Sequence, residues 1–133
     1  MKKTNNTVIP FQLGDNQVRG SIVRLDSSVS NILKRHNYPY AIESLLADSL
    51  TITACIGSRI FTLQAKADGN VHTLFSDITN EGFLRGYVAY NKDPLKDDIG
   101  ITSLMGSGHI AFTLDQGEFT KRYQGIVPLE GNN

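Results

Sequence analysis

Residues Tyr38–Gly57, YPYAIESLLADSLTITACIG, decide how the rest of the chain is read. Apolar side chains fall at Ile42, Leu45, Leu46, Leu50, Ile52 and Ile56, with Ala and Ser between them. Steps of three and four residues place most of them on one broad helical face. Pro39 suits the first turn, where its missing N–H has no partner to lose. Gly57 suits the exit, because glycine takes the positive φ of a C-cap without strain. The polar positions are few (Glu43, Ser44, Asp48), so the helix is expected to meet protein on more than one side. Its acids and hydroxyls make it a poor membrane span. A sheet is the expected cover.

The totals bound the rest. A chain of 133 residues allows one modest domain with a real core. Lys plus Arg equals Asp plus Glu, at 13 each, so charge gives no argument for nucleic acid or an anionic membrane as partner. The start, MKKTNNTVIPFQLGDN, is basic but lacks the apolar run of a secretory signal, which makes the expected location cytoplasmic. Cys55 is the one cysteine. It cannot close an intramolecular disulfide or build a cysteine-based zinc site alone. Its place within the apolar helix predicts a buried, inert thiol.

Outward from the helix, residues 1–10 read as a loose polar arm ending at Pro10. Gln17–Leu25 reads as a strand, with Gly20 permitting a bulge or close approach. Asp26 or Ser27 is the expected N-cap of a short amphipathic helix through Val29, Ile32 and Leu33 to about Arg35. After Gly57 the period changes to two. Ile60–Lys66 and Val71–Ile78 read as strands joined by Ala67-Asp68-Gly69-Asn70, in which Asp-Gly is the strongest hairpin signal of the chain. Phe83–Tyr90 is a third strand after a turn at Thr79–Gly82. Asn91–Ser103 reads as a long, mobile polar loop. His109–Leu114 and Phe119–Val127 are the last strands, around a turn at Asp115–Glu118. The expected fold is α+β: two N-terminal helices, one long and buried, packed on a mostly antiparallel β-meander. A strand so near the terminus is a candidate sheet edge, and the chain reads as if something should follow it.

The chemistry is sparse. His36, His72 and His109 show no ligand spacing, so structural or surface roles are expected. No Ser sits in a nucleophile elbow. Gly106-Ser107-Gly108 could cradle an anion, but a phosphate loop opens a helix and this one opens a strand. Asp93, Asp97 and Asp98 lack the ligand order of a calcium loop. Arg19 and Arg85 flank glycines on strands, and they and Arg24 are expected to pair with carboxylates across the sheet. No catalytic, cofactor-binding or metal-binding residue is assigned. A binding protein is favoured over an enzyme.

Five words of sequence carry a family signal: VRGSIVRLD at Val18–Asp26, ILKRHNYPY at Ile32–Tyr40, LRGYVAY at Leu84–Tyr90, GSGHIAFTLDQG at Gly106–Gly117 and RYQGIVPLEG at Arg122–Gly131. In this order they resemble the N-terminal part of the 33 kDa chaperonin family, the redox-regulated heat-shock holdases of bacteria. The resemblance implies an ATP-independent chaperone that binds unfolding proteins and prevents their aggregation under oxidative or heat stress. It implies unfolding clients as partners, and dimers in the activated state. The family's switch is a C-terminal zinc module with cysteines in C-x-C and C-x-x-C pairs. Oxidation there forms two disulfides, releases zinc and exposes apolar client-binding surface, in keeping with general thiolate chemistry.

The chain departs from that pattern twice. None of the four switch cysteines is present, and Cys55 matches none of them, so no zinc residue carries over and no cofactor is expected. Residues 1–133 are then expected to form one partial, substrate-binding-type domain without the zinc module. The second departure is at Gly57-Ser58-Arg59-Ile60, which runs straight into FTLQ where the family has a few more residues. That joint reads as shortened, which bears on the register of the following strand. Competing readings are an inactive fragment or structural dimer module, and, well behind, a small-molecule enzyme using the Gly106–His109 and Asp93–Asp98 loops.

Overall fold

The computed structural model describes residues 6–15, 17–56, 60–92, 95, 99–115 and 122–130. Two strands come first, β1 (Thr7–Leu13) and β2 (Val18–Arg24). They are followed by α1 (Ser27–Lys34) and α2 (Tyr40–Ile56). Then come β3 (Ile60–Ala67), β4 (Val71–Ile78), β5 (Leu84–Tyr90), α3 (Ile101–Met105), β6 (Gly108–Asp115) and β7 (Tyr123–Leu129). β1 and β2 form a separate antiparallel hairpin. The other five strands form one antiparallel sheet in the order β5-β4-β3-β6-β7. The α+β class expected from the sequence is the one observed.

α2 organises the packing. Ile42, Leu45, Leu46, Ser49, Leu50 and Thr53 are buried at steps of three and four, and they lie against β3, β4 and β5. α1 and β2 also contact α2, so it meets protein on several sides. Ala65, Val71, Leu74 and Val88 complete the core from the sheet. Thr53 and Ser76 are both buried and share a hydrogen bond of 2.8 Å across the helix–sheet boundary, so neither hydroxyl is stranded. At the helix start, Pro39 lies just outside, and its carbonyl accepts from the Glu43 N–H at 2.8 Å. The expected cap at Gly57 lies outside the described residues, as does the whole of the joint at 57–59. β3 itself pairs without a register shift on both sides.

Several expectations are corrected. The predicted loose arm is in part β1: Pro10 stands opposite Ser21 on a hairpin whose outer edges can accommodate a proline. Asn6 fastens this strand to α1. Its side-chain oxygen accepts from the Asp26 N–H at 2.7 Å and the Ser28 hydroxyl at 2.9 Å. Asp26 is the N-cap residue, one of the two positions expected, although its side chain makes no capping bond. The strands are also not a plain meander, because β6 returns beside β3 instead of pairing with β5. The end of the segment expected as a polar loop, residues 101–103, begins α3, whose Leu104 and Met105 just beyond it are buried, and Leu95 and Ile99 pack against the core. Those apolar residues are what draw the chain back across to β6. The final strand begins at Tyr123; Phe119 and the turn before it lie outside the described residues.

Candidate functional site

The polar candidates are dispersed. His36 stacks on Tyr38 with centroids 4.9 Å apart, His72 Nε2 bonds Asn91 Oδ1, and His109 stands opposite Lys66 in the β3–β6 ladder. Among the described residues, no group of three His, Cys, Asp or Glu side chains is arranged to hold a metal ion. Asp93, Asp97 and Asp98 lie outside the described residues. The Gly106–Gly108 loop is engaged internally: Asp68 Oδ1 accepts from the Ser107 N–H at 2.7 Å, and the Gly69 N–H donates to the Met105 carbonyl at 2.8 Å. Arg85 pairs across strands with Asp77, its Nε donating at 2.9 Å, and this partnership raises the guanidinium pKa above its usual value. Arg19 lines a cleft, and among the described residues it makes no ion pair.

What converges is apolar surface. Facing residues of neighbouring strands share a side of the sheet. Phe61, Leu63 and Ala65 therefore share a face with Ile110, Phe112 and Leu114 of β6, and with Tyr123 and Val127 of β7. α2 lies over β3, β4 and β5, so the β6–β7 part of this face extends beyond the helix. There Ile110, Phe112 and Leu114 are half-buried, while Tyr123 and Val127 are 60% and 48% exposed. A row of rings links core to edge: Phe61 to Phe112 at 6.4 Å and Phe112 to Tyr123 at 5.9 Å between centroids. The Phe112 ring lies over Gly125, filling the space a larger residue would need.

The hairpin carries a second apolar surface, with Val8, Ile9, Leu13, Val18 and Ile22 all exposed. Ile52 and Ile56 of α2 are exposed as well, so the helix's apolar stripe is broader than the part it buries. Cys55 is also exposed, which corrects the buried thiol expected from the helix pattern. It lines an open cleft of about 660 Å³ with Pro10, Phe11, Gln12, Arg19, Gly20 and Ser21. The helical period located these residues but not the limit of the hairpin that covers α2. Large contiguous exposed apolar patches are the kind of surface that serves interaction. The alternating apolar residues of HIAFTL and YQGIVPL were the only signal for the β6–β7 shelf, and a covered strand would carry the same one.

An antiparallel sheet with one long helix buried against it, and apolar side chains left exposed on β7 and on the hairpin, defines an α+β domain with no catalytic constellation among the described residues. The chain belongs to the Hsp33 family, whose model, described as Hsp33 protein, matches residues 6–132. It is 33% identical over 138 residues to the 33 kDa chaperonin of Caulobacter vibrioides, covering 96% of this chain and 46% of that one. A 33 kDa chaperonin of Pseudomonas putida is 34% identical over 128 residues, covering 92% and 42%. The crystal structure of the 33 kDa chaperonin of Thermotoga maritima superposes with a TM-score of 0.78 at 25% identity, over 92% of this chain and 45% of that one. The chain thus spans about half the length of the curated relatives it matches. Among the described residues, no helix is long and apolar enough to cross a membrane.

Proposed function

We propose that residues 1–133 form a client-binding domain of an ATP-independent holdase, which captures unfolding proteins in the cytoplasm and keeps them from aggregating. The observation that carries this reading is the row of apolar side chains on β6 and β7 that α2 leaves uncovered. Unfolding chains expose apolar segments, and burying them on such a shelf removes apolar area from water on both sides, at roughly 25 cal/mol per Å². Recognition of that kind needs no nucleotide, metal or reacting group, so the domain acts as a binder and not as an enzyme.

The family's zinc switch does not fit these residues. A four-thiolate site needs four sulfurs, and this sequence supplies the single Cys55. Client protection by this chain is therefore expected to be independent of redox state. The test dilutes a chemically unfolded client into buffer with and without the chain, under reductant and under peroxide, and follows light scattering. Equal protection in both conditions supports the reading. A clear gain on oxidation contradicts ungated binding. Absence of protection by a folded chain leaves the alternative of a structural module. We also propose a homodimer as a partner state of this domain, supported by the exposed apolar residues of the hairpin and of β7.

A further inference from the structure

The β5 edge of the large sheet is closed by a short helix instead of a strand. The Val88 N–H points outward from that edge and donates to the Tyr38 hydroxyl at 3.0 Å. Leu84 and Gly86 share Val88's phase, so their backbone N–H and C=O groups point the same way. α1 packs along this side, but a helix offers no ladder of backbone partners to a strand. The closure therefore rests on one side-chain hydrogen bond and on apolar contact.

That contact is small. α1 reads SSVSNILK, and only Ile32 is buried, with Val29 and Leu33 partly covered by the core. Serine, valine and asparagine are weak helix formers, and so short a helix does not stand alone. Its anchors lie at the two ends. At the start, Asn6 Oδ1 accepts from the Asp26 N–H and the Ser28 hydroxyl, and its Nδ2 donates to the Ser27 hydroxyl at 3.1 Å. At the finish, Asn37 adopts a φ of 50°, and the turn it makes brings Tyr38 back to β5. There the Tyr38 ring meets Tyr90 edge-on at 5.9 Å, and His36 stacks on its face. Between these anchors, no hydrogen bond among the described residues joins residues 29–37 to the sheet. α2 is held far more firmly: Ile42, Leu46 and Leu50 are fully buried, and its first turn closes on the Pro39 carbonyl.

We propose that α1 with residues 35–38 is a strap that lifts as one unit from the β5 edge, while α2 and the five-stranded sheet stay folded. The uncovered edge takes an extended apolar segment of an unfolding protein as an added strand. The backbone of that segment pairs with the outward groups of Leu84, Gly86 and Val88. Its side chains take the places left by Val29, Ile32 and Leu33. The peptide site deepens the holdase reading and rests on it; the strap itself does not. Lifting breaks packed contacts, so the open population grows on warming, and capture at this edge is coupled to heat.

The test is native-state hydrogen exchange of the full chain, followed by NMR over a series of low urea concentrations. The amides of Val88, Ile32 and Leu33 should share one opening free energy and one shallow urea slope. Both should lie below the values for Leu63 and Leu74 at the sheet centre, with the open state roughly 100-fold or more above the unfolded chain in population. Asn6→Ala removes the anchor at the end away from Tyr38, and should speed exchange at Val88 and Leu33 by the same factor, about fivefold. Adding a carboxymethylated, permanently unfolded client should speed exchange in α1 and slow it at Val88, because the client holds the strap open and takes over the edge. A Val88 amide that exchanges only with the sheet centre, or with an opening energy different from Leu33's, overturns the strap. A client that binds by fluorescence anisotropy but leaves both exchange rates unchanged overturns the peptide site and spares the holdase reading. A client that does not bind at all counts against the holdase reading and takes the peptide site with it, while the shared urea slope still decides the strap.

Discussion

Thr53 and Ser76 show how single residues close the core. Both are buried, and each hydroxyl has the other as its partner at 2.8 Å. Thr53→Val keeps the volume but strands the Ser76 hydroxyl, and an unmade buried hydrogen bond costs about 1–3 kcal/mol. Urea unfolding should register that loss, and adding Ser76→Ala should return part of it, because both polar partners are then gone. Tyr38 is a second case. Burial is the main influence on its phenol and raises its pKa above the ordinary value near 10, outweighing the opposing effect of the Val88 N–H. Its neutral form is thus favoured by folding. The associated stability is fully present below pH about 10 and is lost as pH rises through the folded value. Tyr38→Phe should flatten this alkaline decline in thermal melts, while costing about 1 kcal/mol at neutral pH through the lost Val88 partner.

At the scale of elements, the seating of α2 on the sheet depends on Gly86. A methyl group there would lie 3.0 Å from Leu46 Cδ1, 3.0 Å from Leu50 Cδ2 and 3.1 Å from the Phe75 carbonyl. Leucine ends can give a few tenths of an ångström, but the carbonyl is held in the β4–β5 ladder. Gly86→Ala is expected to destabilise by about 1–3 kcal/mol through overpacking, measured as a lower denaturation midpoint with unchanged secondary structure. Leu50→Ala acts in the opposite sense, leaving a void, and should cost about 2–5 kcal/mol. If Leu50→Ala also relieved the Gly86→Ala contact, the double variant would lose less than the sum of the two. The hairpin is an attached element rather than part of the sheet. Asn6 ties its first strand to the start of α1, and β2 rests on α2.

For the whole molecule, the relevant quantity is apolar surface left outside. Tyr123 and Ile126 project from opposite faces of β7 and are 60% and 74% exposed. If clients dock on the shelf, Tyr123→Ser should weaken protection in the scattering assay while leaving the melting transition close to wild type, because the ring is largely solvated in the free domain. Peroxide should not change the protection given by either protein.

The sequence by itself determined the elements with strong local signatures. The three-and-four spacing from Ile42 to Leu50 placed α2, Asp68-Gly69 placed the β3–β4 turn, and period two placed β3, β4, β5 and β6. Five ordered words pointed to the family that the comparisons then established. These are local properties, written in propensity and periodicity within a few turns of chain. The tertiary structure alone decided that β6 pairs with β3, because buried Leu104 and Met105 anchor a crossover that reads locally as a polar loop. It also decided that residues 7–13 form a strand, since Pro10 is tolerated only once β2 fixes which side of it faces solvent. The exposure of Cys55, Ile52 and Tyr123 belongs here as well. An apolar side chain has the same identity whether a helix covers it or not, and only the packing of distant elements sets where that cover ends.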